Sequence, residues 1–185
     1  MSLESPETNN PKQREWEEVL HSLDTVVDKL KMPIDAGIKE TVATLKCTGF
    51  EPRASCEGHP ERGVRAPWVD LSFMSEERRK QYADQIQEAD SRDDKEKIRS
   101  EAKMEMLAGA ERLMGLLDEF YRDKNTNFTR RLTMRFFPDS VRLYSQGAEL
   151  QDLHSPQGRK ERLKEFQEEM ADFAAFVKQD FVSRP

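Results

Sequence analysis

The chain predicts an α+β fold: one four-stranded antiparallel sheet with helices packed mainly on one face, in the order α-α-β-β-α-β-β-α. Three observations lead there. Apolar residues recur at steps of three and four in four segments, the signature of one-sided helices. In two pairs of short segments they alternate instead, as half-buried strands do. Within each pair the connection is rich in turn residues, so the partners are antiparallel neighbours.

The elements follow in order. Residues 1–12 are polar, with Pro6 and Pro11, and read as a disordered lead-in to a domain over 13–183. Trp16, Val19, Leu20, Leu23, Val26, Val27 and Leu30 then form one apolar stripe, predicting a helix of about five turns. Pro33 stops it. A second helix buries Ile34, Ile38, Val42 and Leu45 and ends at Gly49.

"EPRASC" is short and extended, and "PWVDLSF" alternates Val69, Leu71 and Phe73 against Trp68, Asp70 and Ser72. The loop at 57–66, with Gly58, Pro60 and Gly63, joins the two. Ser75 caps the next helix, whose stripe runs Ile98, Ala102, Met106, Ala110, Leu113, Leu117 and Phe120. Its polar stretch near residues 90–95 fits either an interruption or a solvated continuation. "RRLTMRFFPDSVRLYSQG" is a hairpin with a Pro-Asp-Ser turn, Leu132, Met134 and Phe136 facing the core with Val141 and Leu143. The polar tract 146–160 leads to a last helix carrying Leu163, Phe166, Met170, Phe173, Val177 and Phe181. Helix–strand–strand occurs twice, without matching residues in the two copies.

Composition narrows the function classes. A chain of 185 residues, 36% apolar and 36% charged, encloses one core under heavily solvated helices. Its net charge of −6 argues against broad DNA binding, which needs a positive surface. Two cysteines nine residues apart give no disulfide framework and suit a reducing cytoplasm. No apolar run reaches membrane-span length.

Strand parity then selects a candidate surface. Opposite the core lie Trp68 and Asp70 on one strand, and Arg131, Arg135, Arg142 and Tyr144 on the hairpin. Guanidinium forks suit phosphate or carboxylate, and aromatic neighbours stack a base. The plainer alternative is a solvated face whose arginines pair with the chain's own acids. Phe137 also falls on this side, which suggests partial cover by the first helix.

The second candidate is "SCEGH". Cys56, Glu57, Gly58 and His59 form a sharp reversal whose outward amides make an anion-binding concavity. Cys56 is also a candidate nucleophile with His59 as base, Glu57 or Asp70 orienting. Cys-x-x-His is a zinc half-site spacing, and Asp70, Glu57 or His154 would have to complete it. The structural alternative is a histidine that locks a turn beside a small buried thiol.

The run "GFEPRASCEGHPERGVRAPWVDL" resembles a pattern in small uncharacterised bacterial proteins, where Ser-Cys-Glu-Gly-His and a glycine-containing loop precede Pro-Trp-Val. That group has no assigned activity, so the resemblance implies a structural unit over residues 49–71. A looser similarity is to wybutosine-type tRNA-modifying enzymes, which have a Ser-Cys-x-Gly turn after a strand. Their turn continues with arginine where this chain has His59, so neither methyl transfer nor S-adenosylmethionine carries over.

These patterns favour an anionic small molecule, a nucleotide or an RNA end as the partner, and name no cofactor. A Cys/His-dependent or metal-dependent enzyme is the second reading. The third is a helical interaction module or homodimer, from the apolar arcs around Trp16 and around Phe166, Phe173, Phe176 and Phe181.

Overall fold

Asn10 caps the first helix. Its side chain accepts from the amides of Lys12 and Gln13 at 2.9 and 3.4 Å, and Pro11 follows where no amide is lost. The structure, a computed structural model, describes residues 10–28, 31–61, 63–137 and 140–184. Helix α1 (Pro11–Ser22) thus starts inside the expected lead-in, of which residues 1–9 lie outside the described residues.

The same helix is shorter than its apolar stripe. After Ser22 comes a single 3-10 turn, Leu23–Thr25, and Val26 and Val27 are 44% and 53% exposed. Asp28 is the cause: its carboxylate accepts from the Met32 amide at 2.8 Å and its own amide donates to the Met32 carbonyl, so the chain reverses and Val27 bridges to Pro33. A short acidic side chain that offers the backbone a local partner competes with the helix. Leu30, the end of the expected stripe, lies outside the described residues.

Helix α2 (Lys39–Cys47) begins at Ile38 rather than before Ile34, with Ile34 packing on the core from the preceding loop. Gly49, at φ +81°, turns the chain out of the helix. Strands β1 (Glu51–Cys56) and β2 (Trp68–Ser72) pair antiparallel, as expected, with a slip between Pro52 and Ala54. Strand β2 stops before Phe73, whose ring meets Phe50 edge-on at 5.7 Å.

The polar stretch in the next helical segment does interrupt it. Helix α3 (Glu76–Glu88) ends before Ser91, which caps α4 (Arg92–Tyr121) by accepting from the Asp94 amide at 3.0 Å. The helices therefore number one more in this region than the sequence order gave. Hairpin strands β3 (Leu132–Phe136) and β4 (Val141–Ser145) are closed by the Phe137 amide on the Ser140 carbonyl at 2.8 Å. Pro138 and Asp139 of that turn lie outside the described residues. A 3-10 stretch, Gln146–Leu153, leads to α5 (Pro156–Ser183).

The sheet order is β1-β2-β4-β3, every pair antiparallel. Its inner face carries Val69, Leu71, Val141 and Leu143, all fully buried with Leu113 of α4 and Phe173 of α5. Phe136, expected in that layer, is 49% exposed: it lies on the edge strand β3, while its partner Val141 on β4 is fully buried. The apolar arcs of the terminal helices are consumed inside the chain. Trp16 is buried and donates to Thr44 Oγ1 at 2.9 Å, while Phe166, Phe173 and Phe181 are buried and Phe176 tilts against Phe120 at 5.5 Å. Among the described residues no helix is long and apolar enough to cross a membrane.

Candidate functional site

Register decides which side chains meet. Cys56 stands opposite Trp68, Trp68 opposite Tyr144, and Tyr144 opposite Thr133, which makes one row across four strands. The next row is Ala54, Asp70, Arg142 and Arg135. By the alternation of a pleated strand both rows face away from Val69 and Leu71. The end of the SCEGH strand and the aromatic–arginine set thus share one face.

The guanidinium groups on that face are already engaged. Arg142 Nε and Nη2 donate to Asp70 Oδ1 and Oδ2 at 2.7 and 2.8 Å, a paired fork between adjacent strands that pushes the arginine's pKa further up. The same guanidinium lies 4.0 Å from the Trp68 ring and 5.3 Å from the Phe137 ring. Arg135 donates to Glu149 at 2.9 Å. Arg131 leaves the face: its Nε donates to the Thr126 carbonyl at 3.2 Å and its head packs 5.4 Å from the Tyr121 ring. Phe137 is covered by these arginines, whereas α1 packs on α2 and α5.

The SCEGH reversal is built around Gly58, at φ +81°, which folds its amide back onto Cys56 Sγ at 3.3 Å. Glu57 ties three segments together. Its amide donates to Asp35 Oδ2 at 3.1 Å, its carboxylate accepts from the Gly37 amide at 2.8 Å, and its carbonyl accepts from Gln167 of α5 at 3.0 Å. The concavity expected to hold an external anion therefore faces the chain's own carboxylate, that of Asp35.

Asp35 is the residue sequence reasoning missed. It comes from the loop before α2, 22 residues from the amide it accepts from, and no periodicity marks it. The only signal was "PIDAG", an acid between a proline and a glycine ahead of a helix. One ligand atom each from Asp35, Cys56 and His59 lie within 4.8 Å of one another, all three residues half-buried, with His59 Nε2 3.9 Å from Asp35 Oδ2. The acids expected in this place are elsewhere: Glu57 turns to Gly37 and Asp70 to Arg142. His154 ends the 3-10 stretch and is not part of the cluster.

Burial pushes the Cys56 thiol up, and the charge of Asp35 adds to it, so at neutral pH the group is the neutral thiol. Cys47 is pushed up by burial as well. Both cysteines are expected to react slowly with iodoacetamide at pH 7, with rates climbing only above the ordinary thiol range near ~8.5. Fast labelling of Cys56 alone at pH 7 would show an activated nucleophile.

None of these residues lines either of two concavities among the described residues. One of 170 Å³ opens between the 57–66 loop and the 3-10 stretch, lined by Gly63, Val64, Arg65, Glu149, Gln151 and Asp152, at the end of the sheet that carries Cys56, Trp68 and Tyr144. Another of 360 Å³ lies between α1, α2 and α5. No family model, no curated protein and no solved structure matches the chain.

Proposed function

We propose that the protein binds a small planar anionic ligand, of the nucleotide or RNA-end class, on the outer face of the sheet beside the SCEGH corner. The observation that carries this reading is the row Cys56–Trp68–Tyr144, with the Arg142 guanidinium laid on Trp68 at 4.0 Å and fixed there by Asp70. Trp68 and Tyr144 are half-buried, and a guanidinium plane beside aromatic rings is the kind of surface on which bases stack. Because Asp70 offsets the charge of Arg142, the platform supplies flat contact more than positive potential. The anionic part of the ligand is assigned to the His59 side, with the 170 Å³ cavity at the same end of the sheet.

Adenosine monophosphate, titrated by calorimetry, is the probe. Base–aromatic stacking is worth ~1–3 kcal/mol, so Trp68→Ala is expected to weaken binding about 5- to 150-fold while Trp68→Phe keeps most of it. No binding by the parent protein, or an affinity unchanged in Trp68→Ala, overturns the reading.

A further inference from the structure

We propose that Asp35, Cys56 and His59 bind one divalent cation of the zinc type and leave a coordination position open beside Trp68. Only the use of that open position rests on the ligand reading above; the cation site itself does not.

The donor set comes first. A thiolate sulfur, an imidazole nitrogen and a carboxylate oxygen together suit a borderline-soft cation, and three protein donors are the number found where zinc keeps a place for water or substrate. Two donors come from the turn at Cys-x-x-His spacing and the third from a separate loop, so the fold has to bring them together, and it does.

The geometry comes second. All three donor atoms lie within 4.8 Å of one another, and the His59–Asp35 pair is at 3.9 Å. Around a tetrahedral zinc, bond lengths of ~2.0–2.3 Å put neighbouring ligand atoms about 3.3–3.7 Å apart. The cluster closes on a cation by moving each donor inward by about 1 Å or less, which side-chain rotation supplies.

The third observation is independent of the donors and concerns what orients them. The Gly58 amide donates to Cys56 Sγ, and the Glu57 amide donates to Asp35 Oδ2. These are the outer contacts that hold a thiolate and a carboxylate toward a metal. They are anchored in turn by Gly37 on the Glu57 carboxylate and by Gln167 on the Glu57 carbonyl. The corner is organised around the Asp35 carboxylate and the Cys56 sulfur by the loop before α2, the end of β1 and α5 together.

The site also answers a problem left by the sheet face. An anionic ligand needs positive charge, yet Arg142 and Arg135 are matched by Asp70 and Glu149. A divalent cation next to Cys56, one position from Trp68 in the same row, supplies it at the point where a stacked ligand would place its phosphate.

Cobalt(II) titration of the full chain tests this directly, since thiolate ligation gives a near-ultraviolet charge-transfer band. One equivalent is expected to bind with that band, and zinc to displace it. Cys56→Ser is expected to abolish the band, and His59→Ala and Asp35→Asn to weaken binding on the order of 100-fold. His21→Ala and His154→Ala should leave affinity unchanged, and the Cys56, His59 and Asp35 variants should keep the parent's far-ultraviolet circular dichroism, which separates ligation from loss of fold. Absence of the band, or a band that survives both Cys56→Ser and His59→Ala, overturns the cation site. Adenosine monophosphate added to the cobalt-loaded protein is expected to shift its visible spectrum. A band with no such response upholds the cation and overturns the open-position role. Equal binding of the nucleotide with and without metal overturns that role alone and leaves the stacking platform standing.

Discussion

Gly109→Ala is expected to destabilise the protein by up to about 2 kcal/mol, while Gly115→Ala, six residues on in the same helix, stabilises it by about 0.5–1 kcal/mol. A Cβ at position 109 would overlap Phe73 Cβ and Cγ, and Phe73 is itself held against Phe50. The intruding atom meets the root of a side chain, so the strand–helix connection has to shift, and core insertions of this kind cost ~1–3 kcal/mol before the helix propensity of alanine returns up to ~1. At position 115 nothing lies within 4 Å, so alanine only removes the entropy penalty of glycine. Urea melts at unchanged slope check this by sign. Two effects of the same sign would show that α4 does not cross Phe73 at Gly109.

Gly58→Ala is expected to cost about 2–5 kcal/mol. The left-handed backbone accounts for ~1–2 kcal/mol of that in any L-residue. The rest is contact: a Cβ there would lie 2.7 Å from the Ala66 carbonyl carbon and 2.8 Å from Leu163 Cδ1. Gly63 is the internal control. It shares the positive φ, at +63°, but has nothing within 4 Å, so Gly63→Ala should show the backbone cost alone. The measurement is the difference between the two midpoints. Equal losses would remove the packing of α5 against the SCEGH corner. Because the Gly58 amide also donates to Cys56, the same substitution should reduce cobalt affinity, which Gly63→Ala should not.

Much of the fold was legible because its signals are local. The alternation of Val69 and Leu71, and of Leu132, Val141 and Leu143, fixed strands and faces without any tertiary information. Ser75 reads as a helix start since its cap bond spans three residues. The errors arose where a non-local contact or a competing local bond won. Val26 and Val27 keep the helical spacing, yet Asp28 diverts the backbone. Phe136 keeps the strand alternation, but it stands on the edge strand, and only its partner Val141 is fully covered.

The candidate site divides along the same line. Parity placed Trp68, Asp70, Arg142 and Tyr144 on one face, and Cys56 follows once the β1–β2 register is known. That the arginines of this face pair with the chain's own acids was one of the two readings. Which acid meets Arg142 was hidden, because Asp70 and Arg142 become direct neighbours only when β2 lies beside β4, a strand order that composition does not carry. Given that order, an acid opposite an arginine is an ordinary cross-strand pair. Asp35 was out of reach for a different reason: it lies in irregular chain, where no period singles out a residue.

The strand order has a kinetic consequence. Each hairpin can zip within itself on a timescale of ~1–10 μs, but β2 and β4 meet only after the intervening helices have been looped out. Asp70 and Arg142, 72 residues apart along the chain, mark that late junction. A slip of one residue there would turn the guanidinium into the greasy interior, so this ion pair acts as the alignment pin for the slowest joining step.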